Sequence, residues 1–320
     1  LAQSDKLKIV YLDIFSCRSD RDFYDAFASA ILKQTSSKLD EWLEHAKLFL
    51  SRISPKISMG TDPMTDFSIS LEINPKSNNI DEILQLPEKI AQKKGYNIVV
   101  CIDEFQQIAE FKDSKTFQKR LRSIWQLQKS VSYCLFGSKK HLMNELFEKK
   151  SLPFYKFGDI LFLSKIERGE WVSFISRRFS STGKRISDEL SGLIADKMKN
   201  HPYYTQQLSQ QVWFRTPDSG CTQKNVEEAF NSLIDQLSLL FANIIDTLTP
   251  KQINFLLAVA DGVSNFSSKE VLTKYKLGTS ANIKNLRKAT LEKDLIDVLP
   301  GNVIEIQDPA FEYWLKYVYK

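Results

Sequence analysis

Two adjacent carboxylates follow a run of apolar residues near the middle of the first half of the chain. The stretch NIVVCIDEFQQI, residues 97–108, is mostly apolar up to Ile102 and then places Asp103 beside Glu104. A buried strand would carry these acids at its carboxyl end, the rim where open α/β sheets bind ligands. There the first acid could hold Mg²⁺ and the second could act as a general base on water. The alternative is a solvent-facing acidic turn, and the pattern alone does not choose between them.

A small polar residue ends the next apolar run. The stretch VSYCLFGS, residues 131–138, finishes at Ser138. At the rim of a neighbouring strand, this hydroxyl could orient an attacking water or contact a terminal phosphate. Ser138 could equally be the N-cap of the helix predicted for KKHLMNELF, and the two roles are compatible.

The elements that would position these residues alternate along the first half of the chain. Short runs rich in β-forming residues predict strands at residues 7–15, 97–103, 131–138 and 159–163. Helical segments separate them, beginning at Asp20 with apolar residues at a spacing of four. Alternating strands and helices predict an α/β fold with a mainly parallel sheet. Residues 52–80 are rich in Pro, Ser and Asn, which predicts a long loop or an insertion.

After Leu163 the pattern becomes helical. Four successive segments between residues 167 and 246 have helical periodicity. From about residue 248 the pattern predicts three helices and then the hairpin IDVL-PGN-VIEI, which is the plan of a winged helix-turn-helix. We therefore expect an α/β core over residues 1–164, a helical layer over 165–247 and a winged helix over 248–320.

Composition excludes several classes of protein. The 320 residues carry a formal net charge of +5, and 42% are hydrophobic, as in ordinary globular proteins. The apolar runs are too short for a membrane-spanning helix, so no membrane partner is expected. The four cysteines form no CxxC pair and no metal-ligand spacing with the histidines. Cys101 and Cys134 are predicted to be buried thiols, which favours a reducing compartment and therefore the cytoplasm.

Three stretches in a fixed order resemble a known family. VVCIDEFQQI, then YCLFGSKKHLMNELFEKKSLPFYKFGDILFL, then NHPYYTQQLSQQVW are similar to the prokaryotic AAA+-type ATPases of the STAND-related branch. In that family a Walker B strand, a sensor 1 strand and a lid with a His-Pro motif precede a winged helix. The resemblance covers nearly the whole chain from residue 9 onward.

The resemblance implies a P-loop NTPase fold that binds ATP and Mg²⁺. Carried over residue by residue, Asp103 would be the Mg²⁺ ligand, Glu104 the catalytic glutamate and Ser138 the sensor. His201 and Pro202 would approach the nucleotide from the lid. Without the resemblance, His201 before Pro202 is interpreted as the residue that begins a helix.

One part of the family pattern is missing. The phosphate loop GxxxxGK[ST] should precede KIVYLDIF, and the nearest text, STGKRIS at residues 181–187, has Arg185 where Ser or Thr must bind Mg²⁺. Two explanations compete: the protein has lost this loop, or further residues precede Leu1. We expect the second, because the strand that leads into the loop lies inside the sheet in this fold. Its loss would leave unpaired backbone groups on two neighbouring strands.

The predicted winged helix suggests a macromolecular partner. Its third helix carries Lys284, Arg287 and Lys288, which could contact DNA phosphates or bases in a major groove. The alternative is that this domain contacts proteins. The leading hypothesis is an ATP-hydrolysing protein whose nucleotide state is transmitted to the winged helix. The second is a non-catalytic DNA- or protein-binding regulator built on a degenerate ATPase scaffold.

Overall fold

The computed structural model describes residues 6–36, 48, 54–59, 67–72 and 79–319. The chain divides into two compact units, Leu1–Leu161 and Phe162–Lys320, and each has its own hydrophobic core. None of the described helices has the length and apolar character needed to cross a membrane.

The first unit contains an α/β arrangement. Its elements in chain order are β1 (Leu7–Asp13), α1 (Asp20–Thr35), β2 (Ser54–Met59), β3 (Phe67–Glu72), α2 (Asn79–Lys94), β4 (Asn97–Asp103), α3 (Ser114–Trp125), β5 (Val131–Leu135) and α4 (Lys140–Glu148). A short 3₁₀ helix at Phe105–Glu110 follows β4. Strands β1, β4 and β5 form one sheet in the order β1-β4-β5, and both pairings are parallel. The expected parallel sheet is therefore confirmed.

One face of this sheet is buried because alternate strand residues are apolar. Val10 of β1 and Val100 of β4 are fully buried, as are Phe23, Phe27 and Ile31 of α1 in the same core. The spacing of four puts these three α1 residues on one side of the helix. Ser19 and Asp22 form a capping box that fixes where α1 begins.

The second face of the sheet is partly exposed. Tyr11 of β1 is 49% exposed, and Phe136, just beyond β5, is 36% exposed. The expectation that Cys101 and Cys134 are both buried is wrong, since Cys134 is exposed and Cys101 is only partly buried. Cys101 follows the buried Val100 in β4 and pairs with Cys134 of β5. Because successive strand residues point to opposite faces, both cysteines lie on the second face of the sheet.

The strand predicted at residues 159–163 is wrong. Residues 159–163 form no strand, and Leu161 and Leu163 are more than 80% exposed. No described strand lies beside β5 on its outer edge, so this segment has no described neighbour with which to pair.

The loop predicted for residues 52–80 contains the antiparallel hairpin β2–β3, and α2 already begins at Asn79. In FSISLE apolar residues alternate with polar ones, a strand pattern that the Pro- and Ser-rich composition of the whole stretch obscured. The remaining residues of this stretch, 52–53, 60–66 and 73–78, lie outside the described residues.

The second unit is helical except for one hairpin. Its elements are α5 (Arg168–Ser180), α6 (Asp188–Lys197), α7 (Pro202–Arg215), α8 (Gln223–Asp246), α9 (Pro250–Ala260), α10 (Lys269–Lys274), α11 (Ser280–Glu292), β6 (Ile296–Leu299), β7 (Val303–Ile306) and α12 (Pro309–Trp314). Strands β6 and β7 pair antiparallel, and Gly301 in their turn has a φ of 79°, which glycine adopts without steric strain. The predicted helices and hairpin are confirmed, whereas α12 was not predicted from the sequence.

Candidate functional site

Asp103 is the last residue of β4 and lies at the carboxyl edge of the parallel sheet. Its Oδ1 accepts a hydrogen bond from the Glu104 backbone N–H at 2.8 Å, and its Oδ2 accepts one from the Tyr11 hydroxyl at 2.7 Å. The register pairs Asp13 with Asp103, so Tyr11, two residues earlier in β1, lies on the same face as Asp103. Both oxygens of this carboxylate are thus held in place.

Tyr11 was not identified from the sequence as a site residue. Its hydrogen bond to Asp103, together with desolvation and the nearby carboxylate charges, raises the pKa of the Tyr11 phenol to about 12. The hydroxyl therefore remains a donor to Asp103 across the physiological pH range. The only signal in the sequence was its even spacing from Asp13 in a predicted strand.

Glu104 occupies an unusual backbone conformation. Its φ of 55° and ψ of 36° place it in the left-handed region, which is uncommon for a residue with a side chain. Neighbouring contacts hold this turn, because the Phe105 N–H donates to the Phe136 carbonyl at 3.0 Å and the Phe105 side chain is fully buried. Strain of this kind persists only where the surrounding structure fixes it.

Ser138 lies beside Glu104, as the sequence predicted for neighbouring strand ends. Its Oγ is 3.4 Å from the Glu104 Oε2, at the outer limit of a hydrogen bond. Ser138 is not the N-cap of α4, because that position belongs to Lys139, whose side chain makes no capping bond. The structure therefore brings Asp103, Glu104 and Ser138 together.

A second residue that sequence reasoning missed is Gln106. Its side chain is almost completely buried, and its Nε2 donates a hydrogen bond to the Glu104 Oε2. A glutamine between the fully buried residues Phe105 and Ile108 is the only sequence signal that could have indicated it. Carboxylates, a hydroxyl and an amide at one sheet edge are the groups expected of a site that positions water and a hard cation.

His201 and Pro202 belong to the second unit. His201 is the N-cap of α7 and Pro202 is its first residue, so the interpretation as a helix start is confirmed. The His201 ring lies 5.1 Å from the Tyr204 ring, and the Tyr204 hydroxyl donates to Asp308 Oδ2. Burial raises the pKa of Asp308, while the hydrogen bonds from Tyr204 and two backbone N–H groups, and the proximity of His201, oppose that rise.

His201, Tyr204 and Asp308 line a cavity of about 580 Å³ within the second unit. Leu240 of α8 and Lys293, after α11, form other parts of its wall. The structure thus places His201, but not Pro202, in the wall of a pocket to which Tyr204 and Asp308 also contribute polar groups.

The basic residues predicted to contact DNA lie on α11. Lys284 and Lys288 are exposed and Arg287 is partly buried, whereas Leu286 and Thr290 on the same helix are buried. The Lys288 Nζ lies 3.6 Å from a Glu292 carboxylate oxygen, and both side chains are largely solvent-exposed. A surface pair of this kind is weak, so Lys288 is accessible to another anion.

Comparisons with known proteins agree with this architecture. A family model described as "Probable winged helix domain" matches residues 239–317. No curated protein sequence matches the chain significantly.

Two solved structures are similar to the chain over most of its length. The Walker-type ATPase of Pyrococcus abyssi has a TM-score of 0.60 and 14% identity, with 96% of this chain and 84% of that chain covered. The ORC2 protein of Aeropyrum pernix, in ADPNP and ADP complexes, has a TM-score of 0.57 and 12% identity, with 95% and 75% covered. The chain therefore has the fold of the P-loop ATPases of the AAA+ type and ends in a winged helix domain.

Proposed function

We propose that the protein binds ATP with Mg²⁺ and hydrolyses it, as an AAA+ ATPase of the STAND type. The observation that carries this proposal is the convergence of Asp103, Glu104 and Ser138 at the carboxyl edge of β4 and β5. Two acids and a hydroxyl at the rim of a parallel sheet are the acidic half of a nucleotide-hydrolysing site.

The donor set fits Mg²⁺. An ionised carboxylate offers about four lone-pair sites, and the Asp103 carboxylate uses two of them on the Glu104 N–H and the Tyr11 hydroxyl. Acceptor capacity therefore remains for a hard cation, which prefers oxygen ligands. When bound, Mg²⁺ neutralises charge that develops on the phosphate oxygens.

Each chain residue has a distinct role in this proposal. Glu104 accepts the proton of the attacking water, and Ser138 orients that water or contacts the terminal phosphate. Tyr11 fixes the orientation of the Asp103 carboxylate through its hydrogen bond. We further propose a core over residues 1–164 and a lid over residues 165–247, and we assign His201 and Pro202 of that lid to nucleotide binding.

The winged helix, residues 248–320 in this proposal, transmits the nucleotide state to a partner. We propose DNA as that partner, held by Lys284, Arg287 and Lys288 on α11. The four cysteines are all free thiols, which suits a reducing compartment, and we propose the cytoplasm.

A second candidate function is a non-catalytic regulator on the same scaffold. The exposed basic side chains of Lys284 and Lys288 on α11 favour it, since they offer positive charge to a partner without any nucleotide chemistry. In this case the winged helix would bind DNA or protein without ATP turnover.

Substitution of the catalytic acid separates these two functions. Glu104→Gln keeps the size of the side chain but removes the base, so ATP turnover should fall at least about a hundredfold while ATP binding remains. Glu110→Gln is the matched control, because Glu110 is exposed at the end of the 3₁₀ helix that follows Glu104, and its carboxylate accepts a hydrogen bond from Gln107. Equal turnover in the wild type and Glu104→Gln would refute the catalytic role, and ATP binding without any turnover would favour the regulator.

A further inference from the structure

Gln106 is a buried polar side chain that the proposed chemistry does not use. Only 3% of its surface is exposed, although a glutamine is usually found at the surface. Its Nε2 donates to the Glu104 carboxylate, whereas its Oε1 is buried and has no hydrogen-bond partner in the described part of the chain. Burying an amide with one half unsatisfied is unfavourable, so its retention needs an explanation.

The chemistry of Glu104 fixes which way the amide points. A carboxylate accepts hydrogen bonds and cannot donate them when ionised. The amide nitrogen must therefore face Glu104, and the amide oxygen must face away from it. The Gln106 Oε1 is left unsatisfied because the amide nitrogen is turned toward Glu104. Rotating the amide would move the nitrogen away from the carboxylate.

Gly137, the residue before Ser138, leaves the space that Gln106 occupies. A methyl group on Gly137 would overlap the Oε1 and Cδ atoms of Gln106. The φ of Gly137 is not in the positive region, so the backbone conformation alone does not require glycine there. Gln106 is thus wedged between Glu104 on one side and the β5–α4 connection on the other.

We propose that Gln106 is a positioning residue, which holds the Glu104 carboxylate in the orientation needed to activate water. The inference rests on the proposed ATPase function and assigns the control of its general base. Glu104 has a solvent-accessible side chain on a strained turn, and the amide bond restricts its rotation. Gly137 serves the same purpose indirectly by leaving room for the amide.

Two single substitutions and their combination test this role by steady-state ATP turnover. Gln106→Leu keeps the bulk but removes the donor, and Gly137→Ala displaces the amide. Each should lower kcat about tenfold to a hundredfold while KM for ATP stays within about twofold, because misplacing a catalytic group mainly affects the chemical step. The double variant should be no slower than Gln106→Leu alone, since the amide that Gly137 accommodates is already gone.

Gln107→Leu is the control for these variants. It makes the same substitution one residue later, and the Gln107 Nε2 bonds Glu110 at 3.1 Å rather than Glu104. We expect its kcat to equal that of the wild type.

A second measurement does not depend on activity. The side-chain amide protons of Gln106, assigned by NMR from their loss in Gln106→Leu, should exchange slowly with water in the wild type and rapidly in Gly137→Ala. Rapid exchange in the wild type would overturn the proposal, because the amide would then not be held against Glu104.

The outcomes separate this inference from the proposed function. If Glu104→Gln abolishes turnover but Gln106→Leu and Gly137→Ala keep the wild-type kcat, the positioning role is wrong and the ATPase function stands. If Gln106→Leu loses ATP affinity and thermal stability as strongly as turnover, its role is structural and the inference fails. A wild type that binds ATP without turnover would refute catalysis, and the positioning role with it.

Discussion

Removing the hydroxyl of Tyr204 tests the contact between the start of α7 and the start of α12. Tyr204 is 8% exposed, and its hydroxyl donates to Asp308, which also caps α12 through the backbone N–H groups of Ala310 and Phe311. Tyr204→Phe therefore leaves a buried carboxylate with one donor fewer. A hydrogen bond to a charged group contributes about 1.5–3 kcal/mol to stability, so we expect a loss of that size at pH values above the pKa of Asp308, where its carboxyl is ionised.

The loss should depend on pH. Burial raises the folded-state pKa of Asp308, so the stability that its protonated form contributes is present at low pH and is lost as the pH rises through that pKa. The Tyr204 hydroxyl opposes the rise in pKa because it stabilises the ionised form. Tyr204→Phe should therefore raise the pKa of Asp308 further and destabilise the protein more above that pKa than below it, where the lost bond is between neutral groups.

Thermal unfolding followed by circular dichroism over a range of pH measures both effects. For a unit of this size, 1 kcal/mol corresponds to about 2–4 °C, so the transition of the second unit should fall by about 3–12 °C above the pKa of Asp308. Tyr203→Phe is the matched control, because the neighbouring Tyr203 is 62% exposed. A shift no larger than that of the control, or one that is equal at all pH values, would refute the reasoning.

Three further predictions follow from the described contacts. Phe27→Ala removes a fully buried ring from the first core and should lower the free energy of unfolding by about 3–5 kcal/mol in urea titrations; an unchanged midpoint would contradict this. Gly192→Ala should displace Arg168 from its bidentate contact with Asp196, yet reduce stability only slightly because this surface ion pair is half-exposed; a large fall in the thermal unfolding temperature would contradict it. Replacing both Lys284 and Lys288 by Glu should weaken duplex DNA binding and reduce the magnitude of its salt dependence by about two phosphate contacts; salt-independent binding would indicate a protein partner instead.

Periodicity in the sequence was sufficient to predict most of the elements. The spacing of apolar residues in α1 and the alternation around β4 and β5 depend on local geometry, which the chain encodes within a few residues. The turn at Gly301 needed a residue that tolerates positive φ, so the hairpin of the winged helix could also be predicted from the sequence. Element ends and short elements were less predictable. The hairpin β2–β3 was missed because the composition of the surrounding stretch obscured its alternation, and helix α12 was missed because it has only six residues.

Consecutive strand ends also indicated part of the site. Asp103, Glu104 and Ser138 could be predicted to lie together because parallel strands place their carboxyl ends at one edge. Whether these residues hydrolyse ATP stays a prediction, as do the roles of His201 and Pro202.

Only the tertiary structure decided which partners these residues have. Tyr11 reaches Asp103 across 92 residues of sequence, and Gly137 makes room for Gln106 from the connection between β5 and α4. The exposure of Cys134 and the irregular segment at 159–163 likewise depended on which layers and strands lie beside them. The sequence determined the elements and the two acids, because both are local patterns. Long-range pairing brought Tyr11 to Asp103 and Ser138 to Glu104, because no local pattern encodes a contact between distant segments.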